Sequence, residues 1–247
     1  MKKPIVHNLR TCMMSLIFST AMTLSLKGAA MSSNDFSIVQ PAFQQSKYER
    51  ALMTQLRDKN STTEKFREAA NRLTELLVHR VIEYLPSYAV NIETPLESYQ
   101  GEKLQGRVEF VSIMRSGDAL LDTFRKHFPE SIISKVLVQR NEETAEPDFK
   151  YMKLSPTISK CTTVIITEPM IATGGTLTLV VDLLKEKGVL EKNIVIASVL
   201  AAPEGLAILN ARFPEIKVVV IAIDEKLNEK KFIVPGLGDF GNRYFGT

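Results

Sequence analysis

Cysteine and histidine are both scarce in this 247-residue sequence. Its two cysteines, Cys12 and Cys161, cannot build a disulfide framework, and so few thiols favour a reducing compartment. The three histidines, His7, His79 and His127, stand far apart and lack the spacing of metal ligands. The sequence therefore predicts neither a disulfide scaffold nor a metal centre held by protein side chains.

A basic surplus is also missing from the body of the chain. The formal net charge is +3, but residues 1–33 contain four basic residues and no acidic one. That leaves −1 for residues 34–247, too little positive charge to hold a nucleic-acid backbone non-specifically. We expect no nucleic-acid partner, whereas a ligand with a few localised negative charges remains compatible.

A long apolar run is lacking as well. The run at residues 12–26 is interrupted by Ser and Thr and is too short to span a membrane, so we expect no membrane partner. With the basic start and the KGAA that follows, it has the outline of a secretory signal. Three interpretations of residues 1–33 stay open: a signal-like segment, an extension without fixed structure, or a mis-called start with Met31 as the true first residue.

Two helix-capping signals are present near the start of the predicted domain. Ser46 with Glu49, and Ser61 with Glu64, form capping boxes that each precede an apolar face with helical spacing. The second helix should end before Pro86. The predicted faces consist of Tyr48, Leu52 and Leu56 in the first helix, and Phe66, Ala70, Leu73, Leu77, Val81 and Tyr84 in the second.

Short apolar runs alternate with helical stretches from about residue 107 onward. Nearly unbroken Val/Ile runs indicate strands buried on both faces, and their alternation with helices indicates right-handed crossovers in a parallel sheet. Residues 34–247 are therefore predicted to form one α/β domain, whose ligands would bind beyond the carboxyl ends of the strands. The predicted strands are 108–114, 132–138, 163–167, 193–201 and 217–223, and the predicted helices are 117–127, 174–187 and 203–212.

One strand-to-helix turn has the features of a phosphate site. The strand 163–167 ends just before Glu168, and the sequence Thr-Gly-Gly-Thr at 173–176 opens the next helix, whose amide groups and dipole attract phosphate. The absence of a lysine and the different spacing exclude the nucleoside-triphosphate loop. A carboxylate five residues before the cradle suits a ribose diol. The alternative is an ordinary turn with a capping threonine and an exposed glutamate.

Two arginines occupy similar positions. Arg115 and Arg140 each follow the end of a predicted strand, and guanidinium groups match phosphate oxygens. Together they could bind a polyanion such as pyrophosphate. Either one alone is better explained as a surface salt-bridge residue, and it is their shared placement that favours a common ligand.

Three glycines near the C-terminus, Gly236, Gly238 and Gly241, have the spacing G-x-G-x-x-G. Only six residues follow Gly241, which leaves no room for the helix, strand and acidic residue of a dinucleotide-binding unit. The glycines therefore indicate a bare, sharply turned backbone with another task.

Together, IMRSG (113–117), TEPMIATGGT (167–176) and FIVPGLGDFGNRYFGT (232–247) resemble the uracil phosphoribosyltransferase family. The corresponding family patterns are I-x-R-A-G, D-P-M-x-A-T-G-G-S/T and I-V-P-G-x-G-D-x-G-D-R-x-F-G-T. The resemblance extends from about residue 36 to the C-terminus. It implies a type I phosphoribosyltransferase fold, with a parallel sheet, N-terminal helices and a C-terminal hood that binds the base.

The resemblance also implies a reaction. Uracil and 5-phosphoribosyl 1-pyrophosphate would give uridine monophosphate and pyrophosphate, with Mg²⁺ entering on the substrate. Arg140 and Asp239 are the implied catalytic residues. The implied uracil site consists of Ile233, Gly238, Asp239 and Phe240. The implied donor site consists of Arg115, Arg140, Glu168, Pro169, Met170, Ile171, Ala172, Thr173, Gly174, Gly175, Thr176 and Asp239.

Further implications concern assembly and regulation. The resemblance implies a homodimer or homotetramer, in which the apolar helices and the C-terminal strand are candidate contacts, and a possible GTP effector. The tract QRNEETAEP (139–147) is similar to a flexible hairpin region of eukaryotic-type members. Because the donor is made and used inside cells, we expect a cytoplasmic enzyme.

Three positions depart from the family patterns. Glu168 replaces Asp and needs a rearranged diol contact, Ser116 replaces Ala without expected consequence, and Asn242 replaces an Asp that could pair with Arg243. Two alternatives stay open: a catalytically silent regulator that binds uracil nucleotides, and a phosphoribosyltransferase for another base. An RNA-binding regulator is disfavoured by the missing basic surplus.

Overall fold

A computed structural model describes residues 45–140 and 147–247, all within one compact unit, Met31–Thr247. It begins with two helices, α1 (Lys47–Arg57) and α2 (Thr63–Ile82). The first predicted capping box is confirmed: the Ser46 hydroxyl accepts from the amide of Glu49, whose carboxylate accepts from the Ser46 amide at 2.7 Å.

The second capping box is wrong by one residue. The N-cap of α2 is Thr62, whose hydroxyl accepts from the amide of Lys65, while the Ser61 hydroxyl donates to the Gln55 carbonyl oxygen at 2.7 Å. The predicted faces are buried apart from their tyrosines. Tyr48 is half exposed, and Tyr84 lies beyond the end of α2, partly buried against the core.

A small antiparallel sheet follows α2. Strands β1 (Ser87–Glu93) and β2 (Ser98–Leu104) pair with each other from end to end. They were not predicted from sequence, because nearly all of their residues are exposed and polar residues interrupt the apolar ones.

The main sheet confirms the predicted α/β class, and all five predicted strands are present. Its order is β5-β4-β3-β6-β8-β9, with β7 pairing with β8 just beyond the end of β6. All pairs are parallel except β4–β5. The strands are β3 (Val108–Met114), β4 (Ile132–Arg140), β5 (Pro147–Lys153), β6 (Thr163–Thr167), β7 (Met170–Ile171), β8 (Ile194–Ala201) and β9 (Lys217–Ile223). The connecting helices are α3 (Asp118–His127), α4 (Gly175–Glu186) and α5 (Pro203–Arg212).

Alternate residues of the buried strands face two different helical layers. Phe110 and Ile165 belong to a core cluster with α1, α2 and α3, whereas Val111 and Ile166 belong to a second cluster with α4 and α5. Each fully buried side chain of this size contributes roughly 1.5–3 kcal/mol to folding. Burial on both faces explains why these strands read as continuous apolar runs.

The strand order places a switch point between β3 and β6. The chain leaves β3 for β4 on one side and later returns to β6 on the other, so a crevice opens between the loops that follow β3 and β6. The C-terminal segment, residues 224–247, contains β10 (Lys226–Leu227), β11 (Ile233–Val234) and α6 (Phe240–Phe245). Its Leu237 and Phe240 join the cluster formed by α1–α3. None of the helices within the described residues is long and apolar enough to cross a membrane.

Candidate active site

A cavity of about 830 Å³ lies at the switch point. That volume is in the range of small-molecule sites. The ends of β3 and β4, the loop after β6 and the C-terminal segment all contribute to it. Its walls are formed by Met114, Arg115, Ser116, Leu137, Val138, Gln139, Glu168, Met170, Ala172, Lys231, Phe232, Ile233, Gly238, Asp239, Phe240 and Gly241.

Two loops meet at the base of this cavity. A Cβ atom on Gly117 would lie 2.2 Å from the Thr167 carbonyl oxygen, so only glycine allows the loop after β3 to approach β6 this closely. The contact brings Ser116 beside Glu168, and the Ser116 hydroxyl donates to Glu168 Oε1 at 3.1 Å. The same carboxylate oxygen accepts from the Met170 amide at 3.4 Å.

Glu168 is a buried carboxylate, with 8% of its surface exposed. Burial raises its pKa to about 7, the nearby Asp239 carboxylate adds to the rise, and the hydrogen bonds from Ser116 and Met170 oppose it. The alternative that this residue is an ordinary exposed glutamate is therefore wrong. A carboxylate that titrates near neutrality in a cleft is a feature of functional sites.

The segment 173–176, predicted as a phosphate cradle, lies at the start of α4, as the sequence indicated. Gly174 is the N-cap with φ +78°, and a Cβ atom there would lie 2.9 Å from the Gly205 carbonyl oxygen, so packing alone requires this glycine. Gly175 differs, because an added Cβ would meet its nearest neighbour, Pro147 Cδ, at an ordinary 3.5 Å. Among the described residues, packing does not require glycine at 175.

The residues from Pro169 to Gly175 differ in where the structure places them. Met170 and Ala172 line the cavity, but the Ile171 side chain is buried in the α4–α5 cluster. The Pro169 carbonyl oxygen accepts from the amides of Val199 and Leu200 at 3.1 and 3.0 Å. Thr173 and Gly175 line a separate cavity of about 460 Å³ beside the cradle, and Lys231 borders both cavities.

The two predicted arginines follow neighbouring parallel strands. Arg115 comes directly after β3, and Arg140 is the last residue of β4. The Arg115 guanidinium reaches the C-terminal segment, where it donates to Asn242 Oδ1 at 3.1 Å and lies over the Phe245 ring. Of the tract 139–147 predicted as a flexible hairpin region, residues 141–146 lie outside the described residues.

The Asp of the family pattern at position 242 could pair with Arg243, but in this chain the Arg243 guanidinium binds main-chain carbonyl groups. It donates to the carbonyl oxygens of Leu237 and Asp58, at 2.6 Å in each case, and to that of Leu56. It also lies 4.4 Å from the centre of the Phe66 ring. Position 242 therefore acts on Arg115, and Arg243 fastens the C-terminal segment to α1 and α2.

An ion pair also fixes the glycine-rich loop. The buried Asp224 carboxylate binds the Arg57 guanidinium at 2.6 and 2.8 Å and accepts from the Gly236 amide at 2.7 Å. Arg57 donates in turn to the Gly236 carbonyl oxygen at 2.8 Å. Gly236 and Gly238 have φ values of +67° and +82°, as the predicted sharp turn requires.

This loop brings the four residues of the implied uracil site to one wall of the cavity, namely Ile233, Gly238, Asp239 and Phe240. The buried Phe240 ring packs edge-to-face on Phe66 at 5.2 Å. Asp239 caps α6, its Oδ1 accepting from the Asn242 amide at 2.7 Å. The loop thus presents polar main chain at Gly238 between a fixed ring and a fixed carboxylate.

Sequence reasoning missed several lining residues. Leu137, Val138 and Gln139 belong to β4, where no pattern in the sequence marks them as lining residues. Met114 and Gly241 lay inside quoted motifs without an assigned role, and Ser116 was judged inconsequential. Phe232 opened the quoted C-terminal motif without an assigned role, and Lys231 had no signal beyond its closeness to that motif.

The described residues contain no group of three or more His, Cys, Asp or Glu side chains suited to holding a metal ion. Two carboxylates, Glu168 and Asp239, border the cavity. Such a pair suits hydroxyl donors, or a cation that arrives already bound to a polyanionic ligand.

The sheet has helices on both faces, a glycine-rich turn opens α4, and two carboxylates line the crevice at the switch point. These features together are typical of an enzyme that acts on sugar phosphates or nucleotides. The chain belongs, more narrowly, to the uracil phosphoribosyltransferase family. The sequence profile of that family matches residues 43–247.

Individual relatives agree with this assignment. A uracil phosphoribosyltransferase from Dictyostelium discoideum is 41% identical over 199 residues, which cover 80% of this chain and 92% of the relative. Uracil phosphoribosyltransferase 1 from Schizosaccharomyces pombe is 39% identical, covering 80% and 90%. Among solved structures, the AQ2163 protein from Aquifex aeolicus matches with a TM-score of 0.71 and 28% identity, covering 81% of this chain and 95% of that one.

Proposed function

We propose that the protein transfers the phosphoribosyl group from 5-phosphoribosyl 1-pyrophosphate to N1 of uracil, releasing pyrophosphate and forming uridine monophosphate. The observation that carries this proposal is the shared cavity. Glu168, from the loop before the phosphate cradle, and Gly238, from the C-terminal loop, line one space large enough for a nucleotide.

The donor would lie along the carboxyl edge of the sheet. Its 5-phosphate would accept hydrogen bonds from the amides at the start of α4, where Gly175 allows close approach. Its ribose hydroxyls would donate to the Glu168 carboxylate. Arg115 and Arg140 would bind the pyrophosphate group, because guanidinium forks match phosphate oxygens.

Uracil would bind against the C-terminal loop. Its N–H group and two carbonyl oxygens are complementary to main-chain groups around Gly238, and Phe240 supplies an apolar surface. Cytosine would leave polar groups unpaired, a mismatch that discriminates more strongly than shape does. The ion pair that fixes Gly236 lowers the ordering cost of this recognition.

Catalysis then needs no nucleophilic side chain. As the bond from ribose C1 to pyrophosphate breaks, uracil N1 forms its bond to C1 from the opposite face and releases its proton to solvent, while the two loops hold the partners in line. Negative charge accumulates on the leaving pyrophosphate, where Arg115 and Arg140 stabilise it. Mg²⁺ is proposed to enter as the complex of the donor and to share this task.

The test is formation of uridine monophosphate from uracil and the donor in the presence of Mg²⁺. Arg140→Ala and Asp239→Asn should each lower kcat/KM by about 100-fold or more, as removal of a stabilising group from a transition state does. Asparagine at 239 still provides an oxygen to cap α6, so this variant should fold. Arg72→Ala, which removes a surface ion pair with Glu68, is the control and should stay near wild type.

The alternatives predict different outcomes. A silent regulator would bind uridine monophosphate without releasing pyrophosphate from the donor, and an enzyme for another base would prefer that base over uracil in competition. Wild-type turnover in both loss variants would contradict the assigned site.

Three further proposals accompany the reaction. We propose a cytoplasmic location, because the donor is an intracellular metabolite, and a possible GTP effector, for which the family resemblance is the support. We also propose a homodimer or homotetramer. The apolar faces of α1 and α2 are buried within the chain, so the support comes from another surface, the exposed apolar residues of the β1–β2 hairpin.

A further inference from the structure

Two of the three departures from the family patterns touch each other. Ser116 stands where the family has Ala, and Glu168 stands where it has Asp. In the fold, the hydroxyl of the first donates to the carboxylate of the second at 3.1 Å. Considered alone, Ser116 suggested no consequence and Glu168 suggested a displaced diol contact. Their hydrogen bond indicates that the two changes act together.

The backbone fixes this contact tightly. Gly117 could not carry a side chain, because its Cβ would lie 2.2 Å from the Thr167 carbonyl oxygen, 2.7 Å from that of Ile113 and 2.8 Å from the Ile113 amide nitrogen. Ser116 and Glu168 directly adjoin these two closely packed backbones. The separation of the two backbones that carry these side chains is therefore set by close packing at the ends of β3 and β6.

Glu168 needs such a partner more than an exposed carboxylate would. It is almost fully buried, and burial together with the Asp239 carboxylate disfavours its ionised form. The opposing influences are the hydrogen bonds from Ser116 and from the Met170 amide. Among the described residues, the other charged side chains that line the cavity are Arg115, whose guanidinium is bound to Asn242, and the exposed Lys231.

Resting on the proposed function, we propose that Ser116 is a positioning residue for Glu168: its hydroxyl holds the longer carboxylate in place and stabilises the ionised form that accepts the ribose hydroxyls. A charged acceptor can bind both hydroxyls of a diol, whereas a protonated carboxyl has lost part of that capacity. Ser116 does not touch the reacting atoms and acts through Glu168 alone. The donor, and not uracil, is the substrate whose binding depends on it.

The experiment is the pH profile of kcat/KM for the donor at saturating uracil. Ser116→Ala removes the hydroxyl that favours ionisation, so the acid limb of the profile should move to higher pH by roughly one unit, as loss of a hydrogen bond to a charged group predicts. Above this limb the variant should approach wild type, and the KM for uracil should not change. Ser116→Thr keeps the hydroxyl, so the acid limb of its profile should lie at the wild-type pH. The extra methyl group should fit, since Gly241 has no side chain to crowd it.

A second set of variants, made in an enzyme that carries Glu168→Asp, tests whether Ser116 acts through Glu168. In Glu168→Asp the carboxylate is one methylene shorter and should no longer reach the Ser116 hydroxyl. Ser116→Ala should therefore shift the acid limb in the Glu168 enzyme and leave it unmoved in the Glu168→Asp background. Equal shifts in both backgrounds, or a shift in neither, would overturn the proposal. A purely structural role for Ser116 would lower the midpoint of thermal unfolding and leave the limb in place.

The titration of Glu168 by carbon NMR in the substrate-free protein keeps this proposal separate from the proposed function. Ser116→Ala should raise the midpoint of that titration, whatever reaction the enzyme catalyses. If wild type forms no uridine monophosphate but the midpoint still moves, the function is wrong and the link between the two residues stands. If wild type is active and the midpoint stays, the link is refuted.

Discussion

At the scale of single residues, Glu168 couples the active site to stability. Its pKa is about 7 in the folded protein, against an ordinary value of 4.5, with burial as the main cause and Asp239 contributing. Between these two values the folded state retains a proton that the unfolded chain has lost. Folding stability from this group therefore falls as pH rises from about 4.5 to about 7.

Glu168→Gln removes this pH dependence. As pH rises from about 4.5 to about 7, the free energy of unfolding of the variant should increase relative to that of wild type. At pH 8 the difference should reach at most a few kcal/mol. Urea unfolding at pH 5 and pH 8 would measure it. Glu186→Gln, at an exposed position of α4, is the matched control and should show no such gain. A constant difference between the two glutamine variants across this range would contradict the buried, proton-retaining state of Glu168.

Residue identities in the motifs were easier to predict than their contacts. Gly236 and Gly238 were expected in a sharp turn, and both have positive φ. The partner of Asn242 was not predictable, because Arg115 lies 127 positions away in the sequence. Ser116 was undervalued for the same reason: its partner Glu168 is 52 positions distant, and only the strand order brings them together.

At the scale of elements, the C-terminal segment depends on a few long-range polar contacts. Asp224 is almost fully buried, and its charge is balanced by Arg57 at the end of α1. Breaking a buried pair by removing one partner costs roughly 3–5 kcal/mol, because the remaining charge stays desolvated. The same pair also holds the amide and carbonyl groups of Gly236.

Arg57→Ala should therefore have two effects. The free energy of unfolding should fall by about 3 kcal/mol, at the low end of the penalty range because Arg57 is partly exposed. The KM for uracil should rise, while the KM for the donor changes less, because the loop that carries Gly238 loses an anchor. Denaturant unfolding and steady-state kinetics measure both. Arg72→Ala is the control, and its free energy of unfolding should lie within about 0.5 kcal/mol of the wild-type value. An equally small change for Arg57→Ala would refute this anchoring role.

Burial decides which elements could be predicted from the sequence. Strands β3, β6, β8 and β9 are buried on both faces and carry dense Val/Ile runs, so their bounds were found to within a residue. Strand β5 was missed because most of its residues are exposed on an edge. Strands β7, β10 and β11 have two residues each, and their conformation comes from tertiary contacts rather than from any periodicity.

At the scale of the whole molecule, the β1–β2 hairpin carries an exposed apolar face. Tyr88, Val90 and Ile92 alternate along β1 and so share one face, and the β2 register puts Tyr99 opposite Ile92 on that face. Tyr88, Ile92 and Tyr99 are each roughly half exposed. A two-stranded hairpin is only marginally stable on its own, and an exposed apolar face of this kind supports the proposed contact between copies of the chain.

If the hairpin forms the contact between copies of the chain, a charge on its apolar face should separate them. Ile92→Lys combined with Tyr99→Lys should reduce the mass measured by light scattering to that of a single chain, because two charges would be buried without partners. Asn91→Lys is the matched control: it lies between Val90 and Ile92 but points to the opposite face, so the assembly should persist. An unchanged mass in the double variant would exclude this face as the interface. A single-chain mass for the wild type would exclude the homo-oligomer itself, and the two results are therefore distinguishable.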